Sequence, residues 1–183
     1  MSIKKSIITL IAFSSVCTAT LSADATADKD ALAVGEKAPD FSVTAYNGKD
    51  IKLKSFHGKT CVVLYFYPKD ETPGCTKEAC AFRDSYSHLK ETGAEVIGVS
   101  GDSREAHELF AKNHELPFIL VADNDNKLLE LYHVPKLKGT LHARYTFVID
   151  KKGVIRAVYK DLPNADDHAK QALTMVESLQ KTK

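Results

Sequence analysis

From Gly35 onward the apolar positions switch repeatedly between a two-residue and a three-to-four-residue period, the signatures of strands and helices. Phe41 to Tyr46 and Ile51 to Leu53 flank Asn47-Gly48, a dipeptide that favours a tight hairpin turn. Cys61 to Tyr67 is apolar without a break, bounded by Lys59 and Pro68; this predicts a central strand covered on both faces. After Cys75, the residues Ala79, Phe82, Tyr86 and Leu89 recur at helical spacing and predict a helix ending near Gly93. Glu95 to Ser100 reads as the next strand. Asp102 with Glu105 has the spacing of a capping box, opening a helix to about Glu115 that turns Ala106, Leu109 and Phe110 inward. Phe118 to Ala122 follows as a strand and Lys127 to Tyr132 as a short helix. Tyr145 to Asp150 and Val154 to Tyr159 face each other across Lys151-Lys152-Gly153 as an antiparallel hairpin. Ala169, Ala172, Leu173 and Val176 line a last helix. The stretch from Val134 to Ala143, with Pro135 and Gly139, is the longest irregular one. The order predicts one three-layer α/β domain, a central mixed sheet flanked by helices with an N-terminal β-hairpin.

Before Gly35 the pattern is of another kind. Lys4 and Lys5 precede an apolar run from Ile7 to Val16, and small residues follow, among them Ala23 and Ala25. That is the order of a secretory signal. Residues 1–23 are therefore expected to be removed, with cleavage near Ala23 or Ala25, leaving 24–34 as a linker and 35–183 as the folded domain. Such a leader predicts a periplasmic or secreted protein, with no membrane attachment once it is gone. Elsewhere no apolar run reaches the ~20 residues that a spanning helix needs. The 183 residues carry 25 basic and 24 acidic side chains, and no basic run or aromatic-interleaved patch points to nucleic acid.

The chemistry concentrates in the stretch from Pro68 to Cys80. Cys75 stands at the mouth of a helix directly after a strand, with Thr72 three residues before it and Cys80 five after. Unpaired backbone N–H groups and the positive end of the helix dipole favour thiolate over thiol there. Pro73 and Gly74 leave the approach to sulfur free of bulk. Cys80 lies about 100° around the helix from Ala79, so it is expected to be partly exposed. Residues five apart in an intact helix have Cα atoms about 8.6 Å apart, beyond the ~7 Å a disulfide spans. A Cys75–Cys80 bond therefore requires the first helical turns to unwind. Cys61, at the start of the central strand, reads as a small core residue. The cysteine spacing fits zinc poorly, and the seven histidines are scattered and read as surface residues. No metal or cofactor is expected. A C-x-x-C pair is absent, which disfavours dithiol exchange as the main chemistry. A reactive thiolate with a second thiol nearby suits oxidation to sulfenic acid followed by disulfide closure, with a hydroperoxide as the simplest oxidant.

The chain resembles the peroxiredoxins, in particular their bacterioferritin comigratory protein or Q-type branch. The resemblance rests on Gly35-Glu-Lys-Ala-Pro39-Asp-Phe41, Val63 to Asp70, Thr72-Pro-Gly-Cys75-Thr and Arg144 to Asp150. It implies a thioredoxin-like fold and thiol-dependent reduction of hydrogen peroxide and organic hydroperoxides by a monomer recycled by a thioredoxin-like or other dithiol reductant. It implies that Cys75 is the peroxidatic cysteine and that Pro68 shields it. Thr72 would hydrogen-bond the thiolate and the peroxide, and Arg144 would stabilise the thiolate and the transition state. Cys80 would be the resolving cysteine, and Glu78 would orient Arg144. A peroxide sensor or redox relay, handing its disulfide to a partner, would use the same residues. The apparent signal departs from relatives of the cytosol and plastid, because it sends the protein to an oxidising compartment.

Overall fold

A computed structural model describes residues 32–137, 141–160 and 162–181. The segment read as a signal, most of the expected linker and residues 138–140 of the long loop lie outside the described residues. The chain begins with a small antiparallel sheet of β1 (Ser42–Thr44) and β2 (Asp50–Lys52) and a 3-10 turn, Leu53–Phe56. Then follow β3 (Cys61–Phe66), α1 (Pro73–Glu91), β4 (Ala94–Ser100), α2 (Arg104–Asn113), β5 (Ile119–Ala122) and α3 (Lys127–Leu131). The hairpin of β6 (Tyr145–Ile149) and β7 (Ile155–Lys160) precedes α4 (Asp167–Lys181). The main sheet has the order β5-β4-β3-β6-β7. β3, β4 and β5 run parallel through helical crossovers, and β6 and β7 join antiparallel. β3 is buried at every position, as its unbroken apolar run predicts.

Alternation along β3 divides the core. Val63 and Tyr65 face one layer with Ala79, Phe82 and Leu89 of α1, Phe110 of α2 and Ala169, Ala172 and Val176 of α4. Val62, Leu64 and Phe66 face the other with Phe41, Ile51, Leu53, Leu128, Leu129 and Tyr132. Gly98 in β4 permits a close approach across the first layer: a Cβ there would stand 2.7 Å from the Tyr65 ring. Among the described residues no helix is long and apolar enough to cross a membrane.

The structure corrects three local expectations. Ser103 caps α2, its side chain accepting from the Ala106 N–H. Asp102 instead accepts from the Asp70 N–H and the Ser100 hydroxyl. Leu109 is 59% exposed, and the inward face of α2 is His107, Phe110 and Ala111. Counting histidine as a surface residue moves the stripe off by one position. His107, His142 and His168 are in fact fully buried, each beside a carboxylate or hydroxyl that makes burial of an imidazole tolerable.

Candidate active site

β3 delivers the chain to the loop 67–72, and Thr72 becomes the N-cap of α1 with extended backbone and Pro73 in the first turn. Its carbonyl accepts from the Thr76 N–H at 2.8 Å. The pairing of Phe66 with Tyr145 brings the residue just before β6, Arg144, to the same end of the sheet. Two segments 69 residues apart thus meet: Arg144 Nη2 donates to Cys75 Sγ at 3.3 Å.

Cys75 is 2% exposed. Glu78, one turn along α1 and on the same face, is completely buried and accepts from Arg144 Nη1 through Oε2. One guanidinium therefore bridges the sulfur and a carboxylate, a use of its planar fork that lysine cannot reproduce. Burial pushes the Glu78 carboxyl up, to about 8, against the opposing charge and hydrogen bond of Arg144. For Arg144, burial acts downward, but Glu78 and Cys75 raise it overall. The second Glu78 oxygen, Oε1, has no hydrogen-bond partner among the described residues and lies 3.8 Å from His168 Nδ1. That imidazole bonds Thr146 Oγ1 at 2.8 Å, and burial, with Arg144 nearby, lowers its pKa to about 4. A neutral imidazole thus backs the carboxylate.

The residues singled out by sequence come together unequally. Cys75, Glu78 and Arg144 form a contiguous triad. Glu78, as an exposed first-turn carboxylate, would have been unremarkable; its complete burial and its arginine partner give it the orienting geometry. Pro68 is half-buried in the loop after β3. Thr72 differs from expectation: its hydroxyl proton goes to the Lys69 carbonyl at 2.9 Å. A hydroxyl has one proton to donate, so it is not directed at sulfur. Cys80 is half-buried, and Cys75 and Cys80 are both free thiols. With α1 unbroken from Pro73 to Glu91, Cys75 and Cys80 are held apart. Sequence reasoning missed His168, Asp70 and His107. The available signal was Asp70 itself, an acid two residues after Pro68 in a loop that must seat a buried sulfur.

Residues 34–158 match the AhpC/TSA family. Chloroplastic peroxiredoxin Q of Sedum lineare is 49% identical over 146 residues, covering 79% of this chain and 78% of its own. The chloroplastic peroxiredoxin Q of Triticum aestivum is 49% identical over 146 residues, covering 79% and 67%. Among solved structures, peroxidoxin BcpB from Mycobacterium tuberculosis aligns with a TM-score of 0.74 at 32% identity, over 80% of this chain and 97% of that one. Peroxiredoxin Q of Xanthomonas campestris aligns with a TM-score of 0.70 at 30% identity, over 75% and 90%. These relatives correct the expected periplasmic or secreted location, because the curated ones from Sedum, Triticum and Populus are all chloroplastic proteins. A basic, apolar, small-residue leader is an address read by a receptor, and its composition does not by itself name the compartment. With its thioredoxin-like fold, its buried Cys75–Arg144–Glu78 triad and a family match across most of its length, the chain belongs to the AhpC/TSA family and is a peroxiredoxin, a thiol peroxidase of the Q type.

Proposed function

We propose that Cys75 reduces hydrogen peroxide and organic hydroperoxides and that Cys80 resolves the product within the same chain. The observation that supports this most is the Arg144 guanidinium, placed 3.3 Å from the sulfur by one nitrogen and held by buried Glu78 through the other. It stands where charge develops on the departing oxygen. The thiolate attacks the terminal peroxide oxygen. An S–O bond forms as O–O breaks, sulfur loses two electrons, and the alkoxide or hydroxide leaves and takes a proton. Pro68 shields one side of the sulfur, and Thr72 borders the path of the peroxide.

Cys75 is then a sulfenic acid. The Cys80 sulfur attacks that sulfur, an S–S bond forms as the S–OH bond breaks, and the departing hydroxide takes the Cys80 thiol proton and leaves as water, so a disulfide remains. Because α1 is intact between them, this step requires its first turns to unwind. A thioredoxin-type dithiol then reduces the disulfide, and residues 35–183 act as a monomeric catalytic unit.

Mass mapping after one equivalent of peroxide is expected to find a Cys75–Cys80 disulfide, with hydrogen exchange accelerated over residues 76–85. Cys80→Ser should consume one equivalent and stall as sulfenic acid. The absence of that disulfide in the wild-type protein would replace Cys80 with an outside thiol.

A further inference from the structure

One helix grips two consecutive carboxylates in the loop that leads to Cys75. His107 and His114 are seven residues apart on and just beyond α2, two turns along one face. His107 Nδ1 is 2.8 Å from Asp70 Oδ2, and His114 Nε2 is 2.8 Å from Glu71 Oε2. The outer pair is exposed, joined by Asn113 Nδ2 donating to Glu71 Oε1 at 3.0 Å; such surface pairs contribute little.

The inner pair is sealed. His107 has no exposure and the Asp70 side chain 5%. A carboxylate only accepts, so Nδ1 carries the proton and donates. The other oxygen, Asp70 Oδ1, accepts from the Tyr67 hydroxyl at 2.7 Å. The Asp70 N–H donates to Asp102 Oδ2 at 2.8 Å, and Asp102 is fixed in turn by Ser100.

Between the two grips, Glu71 has φ +58°, a left-handed conformation that costs a non-glycine residue ~1 kcal/mol or more unless its surroundings enforce it. The next residue is the N-cap Thr72, and the sulfur follows three positions later. The strained turn, and with it the place of Cys75 opposite Arg144, is therefore held from α2.

We propose that His107 is a positioning residue of the peroxidatic site. Through Asp70 it sets the loop 68–72 and the first turn of α1 so that the Cys75 sulfur meets the Arg144 guanidinium; it touches neither sulfur nor peroxide. This rests on the assignment of Cys75 given above. It has a consequence that a purely structural role lacks. Attack by Cys75 needs the clamped loop, whereas closure onto Cys80 needs the first turns of α1 to let go.

Rapid-quench alkylation with mass spectrometry follows the two steps separately in the full chain with hydrogen peroxide. His107→Leu should slow Cys75 oxidation by about tenfold or more, as expected for a misplaced reacting group, while disulfide closure is no slower than in the wild type. His107→Asn, whose amide takes the position of Nδ1, should restore oxidation to within about threefold; His107→Gln, which reaches the other nitrogen's position, should not. Circular dichroism confirms folding, and if the leucine variant does not fold, Asn against Gln decides. Oxidation at the wild-type rate in His107→Leu, closure slowed as much as oxidation, or equal behaviour of Asn and Gln overturns the proposal. A wild-type Cys75 that ignores peroxide instead removes the functional reading beneath it.

Discussion

The two faces of the sheet each bury a carboxylate beside a histidine, and the two pairs serve different ends. On the face of α3, Asp123 accepts from the backbone N–H groups of Leu128 and Leu129 at 3.0 and 2.9 Å, one per oxygen, with His142 Nε2 at 3.9 Å. Both oxygens are used in fastening a short helix. On the face of α1 and α4, Glu78 gives one oxygen to Arg144, and the other has no hydrogen-bond partner among the described residues, with His168 at 3.8 Å. A buried carboxyl with both oxygens bonded fastens its neighbourhood; Glu78, half-bonded among the described residues and raised to about 8, is poised to change its protonation beside the Arg144–Cys75 contact. Similar residue types at similar burial thus separate into scaffold and site by the bonds they complete.

The largest effect should come from removing the sulfur, which only the Glu78 face contains. Cys75→Ser is expected to lose peroxide consumption by ~1000-fold or more, since the hydroxyl is neither ionised nor comparably nucleophilic. Its melting temperature should stay near that of the wild type. Substantial turnover in this variant would remove the distinction between the faces altogether.

The next effect concerns the imidazoles. Burial lowers His168 from 6.5 to about 4 and moves His142 in the same direction, so both are neutral in the folded protein. Above pH 6.5 their contribution is complete. As the pH falls toward 4, the unfolded chain takes up protons that the folded one excludes, and stability is lost. Glu78 has the opposite sign: raised from 4.5 to about 8, it removes stability as the pH rises through that interval. Comparison with His168→Gln isolates the first term. The wild-type advantage in urea unfolding should grow by ~3 kcal/mol between pH 4 and pH 7, and a difference independent of pH would contradict the assignment.

Smaller effects should separate the two carboxylates directly. Assayed above pH 8, where Glu78 is ionised, Glu78→Gln is expected to cut the rate of Cys75 oxidation by about tenfold, because a neutral amide holds the guanidinium less firmly than a carboxylate. Asp123→Asn is expected to leave that rate unchanged and to cost ~1 kcal/mol of stability, through one weakened cap. An Asp123 variant that lost activity without losing stability would reverse the comparison.

Much of the fold was legible because β3 and α1 state their periods without ambiguity: six unbroken apolar residues for one, and Ala79, Phe82 and Leu89 for the other. Cys75, Arg144 and Glu78 were legible through the family motif, and the contact between them is a product of the Phe66–Tyr145 register, which no local pattern carries. What failed was polarity used as a proxy for exposure. His107 on the inner face of α2 displaced Leu109 to the surface, and His168 sits against Thr146, because an imidazole with a partner is an acceptable core residue. The Thr72 hydroxyl has a local outlet that no sequence pattern announces: it donates to the Lys69 carbonyl.

The 69 residues between Cys75 and Arg144 bear on how the chain is made. During synthesis Cys75 and Cys80 emerge long before Arg144, and the arginine reaches the sulfur only when β6 closes against β3. Until that long-range pairing forms, the thiol lacks its guanidinium partner. On the function proposed above, reactivity toward oxidants is thereby tied to completion of the sheet, and a nascent or truncated chain meets the peroxide before its site is assembled.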